Sequence, residues 1–123
     1  MNAETYGYKV DVWRKAKEEA TRAIVRKRAP IFYSDLTKRI SSITFSPHDY
    51  AFHFLLYEIS VEEDAAGRGM LSALVVRQED GLPGQGFFDL AKKLGRDVSD
   101  RIKCWNDETR VVLERCENHP LAT

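Results

Sequence analysis

Met70-Leu71-Ser72-Ala73-Leu74-Val75-Val76-Arg77 is the stretch on which the fold of this chain turns. Its apolar residues run with little alternation, which predicts a strand covered on both faces. Gly67-Arg68-Gly69 breaks the chain before it, and a turn-rich loop from Gln78 to Gly86 follows it. Ile31-Phe32-Tyr33, a short run of β-formers, reads as one brief strand upstream.

Helices are expected around these two strands. Val10, Trp13, Ala16, Ala20 and Ile24 recur at three- and four-residue spacing, predicting a helix from Val10 to Arg28 that Pro30 stops. Ser34 is placed to cap a short helix through Asp35, Leu36 and Ile40. Ser46, Pro47 and Asp49 form a capping-box start, with Phe45 and Tyr50 at the spacing of a hydrophobic staple. That helix is expected to run through Ile59, and Ser60-Val61-Glu62-Glu63 repeats the capping pattern for a further short turn to Ala66. Phe87 to Leu94 reads as a helix ended by Gly95, and Ser99 to Glu117 as the last helix, with Ile102, Trp105, Val112 and Cys116 on one side. The expected core is Trp13, Ile24, Leu36, Leu55, Leu56, Leu74, Val76, Phe88, Leu94, Trp105 and Val112. The fold class that follows is α+β and mainly helical, with residues 1–123 expected as a single domain.

Composition narrows the function classes. The chain has 123 residues, 43% hydrophobic and 31% charged, ordinary for a folded protein. Nineteen basic residues balance nineteen acidic ones, which argues against a strongly electrostatic nucleic-acid binder, although a local basic face can do the same work. The N-terminal residues lack the apolar core of a signal peptide and no run of about 18 apolar residues exists, so no membrane partner is expected and the setting is taken as cytoplasmic. Cys104 and Cys116 fall on one predicted helix, about 18 Å apart along its axis, beyond disulfide reach. No cofactor is implied.

Several residue groups bear on chemistry. From Arg14 to Arg28 seven basic residues face two acids, and Arg14, Lys15, Arg22, Arg26, Lys27 and Arg28 make a candidate phosphate-contacting surface. The alternative is a solvated helix side whose charges pair with an acidic segment. Gly81, Gly84 and Gly86 lie between a strand and a helix, where backbone N–H groups suit an anion, and with Arg68 they form a candidate anion-binding loop. Their spacing matches neither the dinucleotide fingerprint nor a Walker motif, so a tight connection using glycine's freedom is the competing account. Glu58, Glu62, Glu63 and Asp64 are read as capping and solvated acids at a helix start rather than as acid/base catalysts. His48, His53 and His119 show no metal-ligand spacing, and no catalytic nucleophile stands out. The tail from Asn118 to Thr123 is expected to fray.

The order helix, short strand, short helix, capped helix, strand resembles a winged helix-turn-helix over residues 10–77, with Tyr33-Ser34-Asp35-Leu36-Thr37-Lys38-Arg39-Ile40 as its first turn-and-helix. That resemblance makes the N-terminal half winged-helix-like, with two added C-terminal helices. Ala65 to Val76, together with Pro83-Gly84-Gln85-Gly86-Phe87-Phe88, is also similar to small uncharacterised bacterial proteins, a likeness that implies no activity. The leading expectation is a non-catalytic module that binds nucleic acid. The alternatives are a protein-interaction or dimerisation module using Tyr50, Phe54 and Tyr57, and a small enzyme built on the glycine loop.

Overall fold

A computed structural model describes residues 6–122 as a mainly helical chain with one two-stranded parallel sheet. The elements are α1 (Val10–Lys27), β1 (Ile31–Phe32), α2 (Tyr33–Thr37), α3 (Tyr50–Ala65), a 3-10 turn (Leu71–Leu74), β2 (Val75–Val76), α4 (Gln85–Lys93) and α5 (Arg101–Cys116).

The α1 helix buries the predicted stripe, and Arg28 at φ 52° turns it off two residues before Pro30. Its inner face is fastened to α3 by polar bonds as well as packing. Trp13 Nε1 donates to Glu58 at 2.6 Å, and Lys17 Nζ donates to Glu62 at 2.7 Å. Ile31 of β1 pairs in parallel with Val75 of β2 and Phe32 with Val76, and Tyr33, expected in the strand, already belongs to α2.

The α3 helix begins later than its capping signal. Asp49 accepts from the Ser46 N–H at 2.7 Å, but its own N–H goes to the Ser46 carbonyl, so only half of the box closes, on a turn that ends where the helix starts. Tyr50 is 85% exposed and makes no staple, while Phe45 packs instead on Phe52, ring centroids 5.5 Å apart. Nor does the helix restart at Ser60. It continues to Ala65 because Ser60 turns its hydroxyl inward to Ser72 and Glu63 is buried. The helix ends in a Schellman arrangement: Gly67, at φ +80°, donates to Asp64, and the Arg68 N–H returns to the Glu63 carbonyl at 2.9 Å.

The expected main strand is only Val75–Val76, and Leu71–Leu74 winds as a buried 3-10 turn. Side chains explain the change. Glu108 accepts the Met70 N–H at 2.8 Å, Ser60 accepts the Ser72 N–H at 2.9 Å, and Trp105 Nε1 donates to the Ala73 carbonyl at 2.8 Å. Backbone groups that a ladder would satisfy are met by helices on either side, so extended pairing is not required.

Beyond the turn, α4 seats Phe87, Phe88, Leu90 and Ala91 against Met70, Ala73 and Cys104, a second apolar cluster beside the larger one around α1 and α3. A second Schellman closure at Gly95 (φ +92°) delivers Arg96, whose guanidinium clamps Asp64 of α3 at 2.6 Å and Glu108 of α5 at 3.0 Å. The buried line of α5 is Cys104, Glu108, Val112 and Cys116, rotated from the face expected, and Ile102 is exposed. Both cysteines are buried as free thiols. Of the expected core, Leu94 and Trp105 are half-buried and the other nine residues are buried. His119, expected in a frayed tail, is buried: its Nδ1 accepts from the Leu121 N–H, so the ring proton sits on Nε2 and is donated to Glu63 at 2.6 Å.

Gly69 carries the closest approach in the fold. At φ +83°, a Cβ there would stand 3.0 Å from Glu108 Oε2, 3.1 Å from Val111 and 3.2 Å from Val112, whereas one on Gly67 meets nothing. Gly67→Ala is expected to be destabilising by about 1–2 kcal/mol from its left-handed backbone alone. Gly69→Ala adds displacement of α5, a further roughly 1–3 kcal/mol. Urea unfolding midpoints check this, and equal losses would contradict direct support of α5 by Gly69. Arg96→Ala leaves buried Glu108 without its guanidinium partner and is expected to lose about 3 kcal/mol by the same measurement.

Candidate phosphate-contacting groove

The six basic positions of α1 do not act as one surface. At 100° per residue Lys15, Arg22 and Arg26 line up on the side away from the core. Glu19, Arg22, Arg26 and Lys27 form one wall of an open groove of about 520 Å³, with Ile31 and Arg39 across from them. Arg14 stands about a quarter-turn off the line. Arg28 lies towards the end of α5: burial pushes the Cys116 thiol up, and the Arg28 charge opposes that shift.

Arg39 is the residue that reading α1 alone misses. The short α2 ends at Thr37, whose hydroxyl donates to the Ser34 carbonyl at 2.8 Å, and Arg39 closes the turn by donating to the Leu36 carbonyl at 2.9 Å. The signal was present in the charge distribution: residues 9–39 hold ten basic and four acidic side chains, the rest of the chain nine and fifteen. Zero net charge therefore conceals a polarised molecule. Arg22 is paired with Glu18 at 2.7 Å, while Lys27 and Arg39 are exposed and carry no ion pair.

Glu19 is the one carboxylate in the groove, and its oxygens are committed. The Ser42 N–H and hydroxyl reach Oε1 at 3.0 and 2.5 Å, and the Ser41 N–H and hydroxyl reach Oε2. Burial pushes this acid up, but the four donors together outweigh it and hold it at about 2. It thus fastens the 41–42 segment to α1 and stays ionised at neutral pH, where its charge offsets one of the cations.

The glycine loop and Arg68 are not brought together. Arg68 is paired with Glu63 at 2.6 Å, near the C-terminal end of α3. Gly84 lies beside Tyr33, which packs on His53 in the first turn of α3, some 15 Å away along that helix. The Gly84 N–H, at the start of α4, is donated to Tyr33 Oη at 3.0 Å. Only Gly81 of the three loop glycines has positive φ, and Gly86 sits inside α4.

The acidic group is spent on structure. Glu58 holds Trp13, Glu62 holds Lys17, Glu63 holds Arg68 and His119, and Asp64 holds Arg96. It sits in the body and last turns of α3, not at a solvated helix start. Ser72 is locked to Ser60 at 2.6 Å. Among the described residues no group of three or more His, Cys, Asp or Glu is placed to hold a metal ion, and no helix is long and apolar enough to cross a membrane.

No protein-family model, curated protein or solved structure matches this chain.

Because the Glu19 carboxyl is held below its usual value of 4.5 in the folded chain, its contribution to stability is complete above pH 4.5 and lost as pH falls towards 2. Replacing Ser41 and Ser42 together by Ala removes two of the donors. The Glu19 carboxyl, followed by NMR, is then expected to titrate nearer 4.5, and an unmoved titration would contradict the serine clasp.

Proposed function

We propose that this chain is a non-catalytic binding module that holds nucleic acid by its phosphates in the groove between α1 and Arg39. One observation carries the reading: Arg22, Arg26, Lys27 and Arg39 converge on an open groove, and its only carboxylate is already bound by serines. Guanidinium and ammonium groups on an exposed surface suit phosphate oxygens and read no bases, so contact of this kind is sequence-independent. Lys15 extends the same line towards the start of α1.

The winged-helix-like reading belongs to this proposal in altered form. The helix in the recognition position, α3, presents Tyr50 and His53 at its exposed start rather than a row of polar base readers, so α1 is assigned the phosphate contacts. A protein-interaction surface is the second reading, favoured by Tyr50 at 85% exposure. It is narrower than the sequence suggested, because Phe54 and Tyr57 are half-buried. Catalysis draws less support, since the acidic residues have cationic or indole partners and the glycine loop lacks Arg68.

Fluorescence anisotropy with labelled mixed-sequence DNA, titrated with salt, tests the proposal. If each of the four cations displaces one counterion, the logarithm of affinity falls with the logarithm of salt at a slope of about −3.6. Arg26→Glu, Lys27→Glu and Arg39→Glu combined should abolish binding, while the pair Lys92→Glu and Lys103→Glu, on α4 and at the start of α5, should leave most of it. Absence of binding at low salt removes the reading.

A further inference from the structure

Ile31 lines the groove, and Tyr33, two residues on and about 7 Å away in extended chain, lines two further hollows. Phe32, between them in the chain, turns outward from the buried Ile31 and is 39% exposed, outside all three linings. The larger hollow, about 390 Å³, has Tyr50, Phe54, Tyr57 and Phe87 among its walls. The smaller, about 250 Å³, lies between Tyr33, His48, His53 and Gln78. Tyr33 and His53, ring centroids 5.3 Å apart, form a partition common to both. Phe54 and Tyr57 are stacked at 5.7 Å with planes 10° apart, and Lys93 lies over the Tyr57 ring at 5.9 Å.

Aromatic walls beside a cationic track suit one kind of polymer. In a duplex the bases are stacked on one another and their faces are closed to side chains, whereas a single strand turns free base faces outward to stack on aromatic rings. Polar groups that meet base edges are also present: Tyr33 Oη accepts from Gly84 yet keeps its own hydroxyl proton to give, and His53 Nε2 donates to the Pro47 carbonyl, leaving Nδ1 unengaged. Resting on the nucleic-acid reading above, we infer that the polymer is single-stranded, with phosphates along Arg22, Arg26, Lys27 and Arg39 and bases carried over Phe32 onto the aromatic walls at Tyr50 and Phe54. Specificity of sequence is not expected, because every base has a stacking face.

The test is anisotropy with a labelled thymidine oligonucleotide, a duplex of equal length and a labelled mononucleotide, at low and moderate salt. It is run on the wild-type chain, on Phe32→Ala/Tyr50→Ala and on the charge-reversed triple variant. Both aromatic positions are exposed, and circular dichroism verifies that the pair still folds. The single strand should bind more tightly than the duplex. The aromatic pair should weaken it roughly 5-fold or more, in line with one lost stacking contact, and leave duplex affinity unmoved. Equal or tighter duplex binding overturns the inference while the groove reading stands, as does single-strand affinity that ignores the aromatic pair. A mononucleotide that binds as tightly as the strand overturns it too, by making the hollow a small-molecule site. Loss of all binding at low salt brings down the groove reading and the inference together.

Discussion

Glu108 carries a carboxylate into the inner face of α5, and the middle of the molecule is organised around keeping that charge satisfied. One oxygen takes the Met70 N–H and both take the guanidinium of Arg96, which in turn grips Asp64 at the end of α3. A buried ion left without these partners would be strongly unfavourable, so the three segments are fixed relative to one another. Gly69 follows from the same constraint: only a residue without a side chain lets the Glu108 carboxylate come this near the backbone. The 3-10 turn is the further result, since the amide of Met70, the residue just before it, is already held when the chain leaves the glycines.

The candidate groove benefits from that arrangement indirectly. The carboxylates of α3 are occupied by Trp13, Lys17, Arg68, His119 and Arg96, all of them inside or at the edge of the fold. Few remain to neutralise the outer side of α1. Glu19 keeps its charge there and offsets one cation, with its oxygens turned onto Ser41 and Ser42. On that side Arg22 is paired with Glu18 of the same helix, while Lys27 is exposed and carries no ion pair.

Local pattern made α1, the breaks at Gly67 and Gly95 and the extended character of Ile31-Phe32 and Val75-Val76 legible in the sequence. What it could not supply was whatever depended on a distant partner. Met70 to Leu74 has the composition of a strand, yet side chains 32 and 38 residues away meet its Ala73 carbonyl and Met70 amide. Ser60 and Glu63 look like a helix start because capping chemistry and buried pairing use the same residue types. His119 carries no signal of its own, and only the fold brings Glu63 to it across 56 positions. Half of the groove was visible as the basic run of α1. Arg39 was not, since it belongs to a different element and joins the others only when α2 folds back.

The parallel sheet is a feature whose small size bears on how the chain reaches this state. Two strands of two residues offer too few hydrogen bonds to hold together unaided, and 42 residues of chain separate Phe32 from Val75. The entropy of closing that loop has to be met by α3 docking on α1 through Trp13 and Lys17, after which the strands meet at little further loss. The pairing of Ile31 with Val75 thus depends on closure of the helical layers around it rather than on any strength of the sheet itself.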